Sequence, residues 1–234
     1  MKILFVGMGG TNTYTARPLL RYFNTLDIPD KEVIFMDGDS YDIGNMNRQD
    51  FNPDHVSVNK AEAKVRELKQ DFPNMLLTAV PEYLSEKSMD YYITNDMVVM
   101  VAVDCMKTRR LIDERAQQLE NVLVISMGNE LIDGDAFVYC RVNGKEITPS
   151  IQKGHPEIST AKEPTRSEMS CEQIAAMPSG GQLIFANAQS GIMGATMFWK
   201  FMVATEFLTK EAKVEYRGAY FDVDQMKVRP VTFN

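Results

Sequence analysis

Short apolar runs alternate with amphipathic, helix-length stretches through the first half of this chain, and that alternation restricts the fold more than any other feature. Ile3–Val6 reads as a strand. Asn12–Phe23 then carries Ala16, Leu19, Leu20 and Phe23 at helical spacing. Pro18 inside it either kinks the helix or marks a late first turn. Val33–Met36 is a second strand. Lys60–Phe72 is a charged helix turning Ala61, Val65 and Leu68 inward, and Leu76–Val80 is a third strand. Met97–Val103 is apolar almost throughout, as a strand covered on both faces must be. A helix over Lys107–Leu119 and a strand over Val122–Ser126 complete the series. The pattern predicts an α/β fold: a Rossmann-like, doubly wound, mainly parallel sheet with helices on both faces.

Beyond Met127 the character changes. Ala136–Val142 reads as a further strand. Asn143–Ser170 is polar, holds Pro149, Pro156 and Pro164, and shows no period. Residues 143–181 are therefore expected to form a mobile, crossover-like loop within one domain spanning 1–234. Gln182–Thr209 predicts a long apolar helix, but Asn187, Gln189, Ser190 and Lys200 interrupt it, which favours a core or interface helix over a membrane span. Val214–Phe221 and Met226–Val231 predict an antiparallel hairpin turning at Asp222–Gln225.

The chain has 234 residues, 44% of them hydrophobic, enough for a sizeable core. Its formal charge of −7 argues against nucleic acid as the main partner. Lys2 leads straight into the first strand, without the pattern of a secretory signal. Cys105, Cys140 and Cys171 lie far apart and make no CxxC pair, so free thiols in a reducing cytoplasm are expected and structural zinc is not. Cys105 and Cys140 adjoin apolar strands and read as small core residues. His55 and His155 have no second histidine at ligand spacing, and neither is assigned a metal.

Two segments carry the chemistry. Gly7, Gly9 and Gly10 sit at a strand-to-helix turn, where glycine lets backbone N–H groups approach a phosphate at a helix N-terminus. Such a turn can also be purely structural. Asp37 closes the second strand, where a dinucleotide fold places an acidic residue against ribose, though it lies further on than the usual spacing of about twenty residues. Asp39, Asn45, Arg48 and Gln49 follow, and Lys60 opens the next helix. A nicotinamide enzyme has no evident use for Asn45, Arg48 and Gln49 there. A triphosphate does, because Arg48 offers a planar fork and Lys60 a point charge. Read singly, Arg48 is a surface ion-pair residue and Lys60 a solvated helix start.

These residues resemble the ThiF/MoeB/E1 superfamily, whose members activate ubiquitin-like and sulfur-carrier proteins. The matching positions are Gly7-x-Gly9-Gly10, then Asp37, Asp39, Asn45, Arg48 and Gln49, then Lys60, then Asp104 after the fourth strand. Asp104 to Arg109 also resembles the family's helix opening, and the likeness is specific through about residue 130. The resemblance implies an adenylyltransferase using ATP and Mg²⁺ on the C-terminal glycine carboxylate of a carrier. Gly7, Gly9, Gly10, Asn12, Asp37, Asp39, Asn45, Arg48, Gln49 and Lys60 would then form the nucleotide site. Asp37 would hold ribose; Asn45, Arg48 and Lys60 would steady phosphates; Asp104 would bind Mg²⁺, or cap the following helix, or both. A homodimer is implied too.

The chain departs from the pattern at Asn12, which stands where the family has its third glycine, and, beginning directly at the first strand, is expected to do without the further phosphate-binding arginine that many relatives bring on extra N-terminal helices. Arg17 or Arg21 are the candidate substitutes. Cys171, before Ala176-Met177-Pro178, resembles the transfer cysteine of some E1 enzymes, yet Glu168 and Glu172 beside it oppose a thiolate, so a thioester site and an inert thiol both stand. Residues 165–234 resemble the ThiF proteins of plasmid-associated PRTRC systems. A non-catalytic carrier-binding scaffold and a nicotinamide-dependent oxidoreductase are the competing functional classes.

Overall fold

A computed structural model of the chain describes residues 1–169, 173 and 181–232. Cys171 lies outside them. The first half alternates as expected: β1 (Lys2–Val6), α1 (Gly10–Thr25), β2 (Glu32–Met36), α2 (Lys60–Asp71), β3 (Leu76–Val80), α3 (Met89–Tyr92), β4 (Met97–Val101), α4 (Met106–Ala116) and β5 (Val122–Asn129). The second half supplies β6 (Asp133–Val142), β7 (Lys145–Glu146), α5 (Ile151–Gly154), α6 (Pro156–Thr160), α7 (Ile184–Ala204), β8 (Tyr216–Asp222) and β9 (Lys227–Thr232).

The described strands form one sheet in the order β3-β2-β1-β4-β5-β6-β8-β9, with β7 on β6. β3 through β5 run parallel, in registers such as Val6↔Met36 and Val6↔Val101. From β5 onward pairing is antiparallel. The strand order reverses between β1 and β4, and the crevice at the carboxyl ends of those strands is where such sheets bind ligands.

Strand alternation assigns the faces. Ile3, Phe5, Val98 and Met100 join one buried cluster with α1, α2 and α7. Leu4, Val6, Val99 and Val101 join another with α4, α5 and α6. Both faces are covered, which accounts for the apolar composition of β4.

Pro18 falls in the third turn of α1, because the helix already begins at Gly10. The polar stretch after Asn143 is more ordered than its lack of period suggests. Asp113 on α4, 1% exposed, accepts the Ile151 N–H and a Gln152 amide hydrogen, both at 2.9 Å. The first of the short helices there, α5, is anchored by that buried carboxylate, a contact with no periodic signature. The long helix ends at Ala204, followed by left-handed backbone at Glu206, Phe207 and Leu208. Among the described residues no helix is long and apolar enough to cross a membrane.

Candidate functional site

A cleft of about 1310 Å³ opens at the carboxyl ends of β1, β2 and β4. Its floor is the turn between β1 and α1. Gly7 has φ +82°, and a Cβ there would stand 2.6 Å from the Ala102 carbonyl oxygen, so the turn passes too close to β4 for a side chain. Gly9 is the N-cap of α1 and faces open cleft, its nearest neighbour being Gln49 Nε2 at 3.9 Å from a built Cβ. Gly10 begins the helix directly over Asn187 of α7. The first turn of α1 holds no acidic residue and accepts no side-chain cap. Its amides and the helix dipole therefore present a positive end to the cleft.

Asn12 is placed otherwise than a nucleotide contact would be. It is 0% exposed and does not line the cleft; its amide donates to the Gly7 carbonyl at 2.7 Å and approaches those of Val6 and Met100. It braces the turn from beneath rather than crowding or contacting a phosphate.

The 37–60 loop is held rigid by a small core of its own, in which Tyr41 and Phe51 stack at 4.0 Å above Ala63. Asn59 caps α2 by accepting from the Ala61 and Glu62 amides, and donates to the Asp37 and Asp39 carbonyls. Asp37 accepts the Met8 N–H at 2.6 Å and the Asp39 N–H at 2.8 Å. Burial raises its carboxyl above the ordinary carboxylate value, against the pull of Lys60. Asp39 is also disfavoured by burial, but the Lys60 ammonium 3.2 Å away and the Tyr83 hydroxyl outweigh it and lower the carboxyl. Asn45 and Asp42 cap the short turn at Ile43–Asn45 reciprocally. Arg48 donates to the Gly44 carbonyl at 2.8 Å and to Asn47 at 3.1 Å, and Gln49 is buried beside Gly9.

Asp104 follows β4 and is ion-paired with Arg166, its own side chain 61% exposed. It is not the helix cap, since Cys105 holds that position. Arg109 is structural: it donates to the Val103 carbonyl, to Ser126 and to the Met127 carbonyl, stapling α4 to the ends of β4 and β5. Cys105 is buried at the cleft rim, 3.8 Å from the Pro164 carbonyl oxygen. Cys140 is buried in the core, where loss of hydration pushes its thiol up to about 12. No group of three metal-ligating side chains forms among the described residues.

Gly7, Gly9, Gly10, Asp37, Asp39, Asn45, Arg48, Gln49, Lys60 and Asp104 thus line one cleft. Arg17 does not; it pairs with Asp71. Arg21 is not on the lining either. Sequence reasoning missed two residues. The Tyr83 ring lies over Gly38, where a Cβ would collide at 2.6 Å, so the glycine between Asp37 and Asp39 was the available signal. Arg166 sits in the aperiodic polar stretch and had none.

The ThiF family model matches residues 1–233. The chain belongs to the ThiF family. Comparison with curated proteins gives no match. Among solved structures, Escherichia coli MccB with ATP is similar at 16% identity and a TM-score of 0.72, over 99% of this chain and 63% of that one. MccB with AMPCPP and MccA gives 17% and 0.71, over 99% and 63%. PaaA gives 14% and 0.67, over 100% and 64%. This ThiF-family chain spans less than two thirds of those proteins, and at such identities the likeness establishes a shared fold.

Proposed function

We propose that the chain is an ATP-dependent adenylyltransferase that activates the C-terminal glycine carboxylate of a ubiquitin-like or sulfur-carrier protein. The observation that carries this is the convergence of an uncapped helix N-terminus, the Lys60–Asp39 pair, Arg48 and Asp104 on a single cleft. In the reaction a carboxylate oxygen attacks the α-phosphorus, the bond to the bridging oxygen of the β-phosphate breaks, and pyrophosphate leaves. Charge gathers on the phosphates, so positioning and electrostatics do the work. Asp37 takes the ribose hydroxyls on lone pairs left beside its two amide donors. The α1 amides, Asn45, Arg48, Gln49 and Lys60 hold the phosphates. An exposed carboxylate at Asp104 suits Mg²⁺, which takes one or two protein carboxylates and fills its shell with phosphate oxygens and water, so a cluster of three protein ligands is not required. Magnesium bound there would neutralise phosphate charge.

The reading extends to partners and place. MccB has been solved with MccA; a peptide or protein tail is the substrate class we assign here. Phe185, Ile192 and Trp199 fall seven residues apart on the exposed face of α7, at 67%, 48% and 47% exposure, and we take this stripe as the homodimer contact. Buried free thiols fit a cytoplasmic enzyme. We read residues 1–234 as one adenylation domain, with 143–181 as its crossover-like loop. Thioester transfer to Cys171 rests on sequence alone.

ATP–pyrophosphate exchange with a carrier ending in glycine tests the activity. Exchange should need the carrier and fall in Asp104→Ala and Arg48→Ala. Exchange unchanged in both variants would refute the assigned roles, and tight carrier binding with no exchange would favour a scaffold.

A further inference from the structure

The adenylating reading leaves an arginine unused. Arg166 comes from the polar stretch after α6 and returns to the nucleotide end of the cleft, where its guanidinium pairs with Asp104 and lies close enough to Asp39 and Tyr83 to interact with both. Its backbone is fixed by α4. Glu163 accepts the Lys107 N–H at 3.0 Å, the Lys107 ammonium reaches both Glu168 oxygens at 2.8 Å, and Arg110 donates to the Ala161 carbonyl at 2.7 Å. Thr165 and Glu168 cap the short turn on which Arg166 sits. Residues 161–169 therefore form a strap across the opening of α4, the helix that begins just beyond Asp104.

The ion pair alone is a poor reason for this construction. Asp104 is more than half exposed, and pairs of that kind contribute roughly 0–1 kcal/mol. Of the other arginines lining the cleft, Arg48 is already assigned to the phosphates, Arg109 is spent on carbonyls and Ser126, and Arg229 belongs to β9, the edge strand at the opposite end of the sheet from β3. Arg166 has five donors in a rigid fork, a side chain 20% exposed, and a carboxylate partner that a bound nucleotide's metal would claim.

We infer that Arg166 is a substrate-contacting residue, held on Asp104 in the free protein and transferred to the phosphates of ATP when the nucleotide enters. The strap is then part of the nucleotide site. Exchange of partners by one guanidinium links triphosphate binding to the position of residues 161–169. This inference rests on the adenylating reading and adds a second guanidinium, beside that of Arg48, to the nucleotide site.

The test uses the full chain, titrated calorimetrically with ATP, with a non-hydrolysable ATP analogue and with adenosine, and followed by hydrogen exchange of the 161–169 amides. Arg166→Gln should weaken both triphosphates by about tenfold or more, the loss expected for a charge-assisted contact, and leave adenosine unchanged. Arg166→Lys should recover part of the affinity. Triphosphate, but not adenosine, should alter exchange of the strap in the wild type. Wild-type ATP affinity in Arg166→Gln, with faster strap exchange in the free protein, would make Arg166 a strap anchor and overturn the inference alone. No ATP binding by the wild-type chain would overturn the adenylating reading and this inference together.

Discussion

Asn187 of α7 donates its amide hydrogen to the backbone carbonyl of Arg48 at 2.9 Å, joining α7 to the 37–60 loop. Asn187 is 0% exposed and packs under Gly10, where a Cβ would stand 2.4 Å from its amide. A residue that interrupts the apolar run of α7 is thus the clasp between α1, α7 and the 37–60 loop.

Asn187→Ala should remove that clasp without adding bulk. Loss of a buried hydrogen bond costs about 1–3 kcal/mol, so a lower melting temperature is expected, together with weaker ATP binding through a loosened Arg48. Thermal unfolding and nucleotide titration check it. Unchanged ATP affinity would mean that Arg48 is positioned by its own turn.

Gly7 and Gly9 of the turn should fail in different ways. Gly7→Ala forces a side chain into left-handed backbone and against the Ala102 carbonyl, a strain of about 1 kcal/mol or more, so stability falls. Gly9→Ala has extended backbone and open space around its Cβ, so the variant should fold with wild-type stability and lose ATP affinity as the methyl enters the cleft. Denaturation curves paired with ATP titrations separate the two; a Gly9→Ala variant binding ATP normally would remove the turn from the phosphate site.

Acid should release the strap. The Glu168 carboxyl is held at about 2, below the ordinary glutamate value of 4.5, first by the Lys107 ammonium and then by the Thr165 amide. A depressed folded-state value means that the contact contributes fully above the ordinary glutamate range and is lost as pH falls toward about 2. Carbon-detected titration of Glu168 should show the low midpoint in the wild type and a return toward 4.5 in Lys107→Ala. An ordinary midpoint in the wild type would contradict the pairing.

Charge on the exposed face of α7 should disrupt self-association. Trp199→Glu and Ile192→Glu alter surface side chains, so the fold should survive while the apolar stripe is broken. Light scattering coupled to gel filtration should give a dimer for the wild type and a monomer for the double variant. A monomeric wild type would remove the homodimer from the account.

The sheet was legible because each parallel strand is apolar and each intervening helix keeps its period. That Asp37, Asn45, Arg48, Lys60 and Asp104 line one cleft was legible because they fall on short loops at the carboxyl ends of those strands, where sequence distance and spatial distance agree. Asn12 was misplaced because spacing fixes a backbone position and not the direction of a side chain; here the amide finds three carbonyls beneath the turn. The start of α5 is held by one buried carboxylate, Asp113, contributed by a distant element. Arg166 pairs directly with Asp104 across 62 residues, and nothing local announces that.

The central claim is that a nucleoside triphosphate occupies the cleft between the glycine turn and the 37–60 loop. Parallel calorimetric titrations of the full chain with ATP plus magnesium and with NADH test it most directly. The account predicts saturable ATP binding, weakened in Arg48→Ala and in Gly9→Ala, and little or none for NADH. Selective binding of NADH, or ATP binding indifferent to both substitutions, would contradict it.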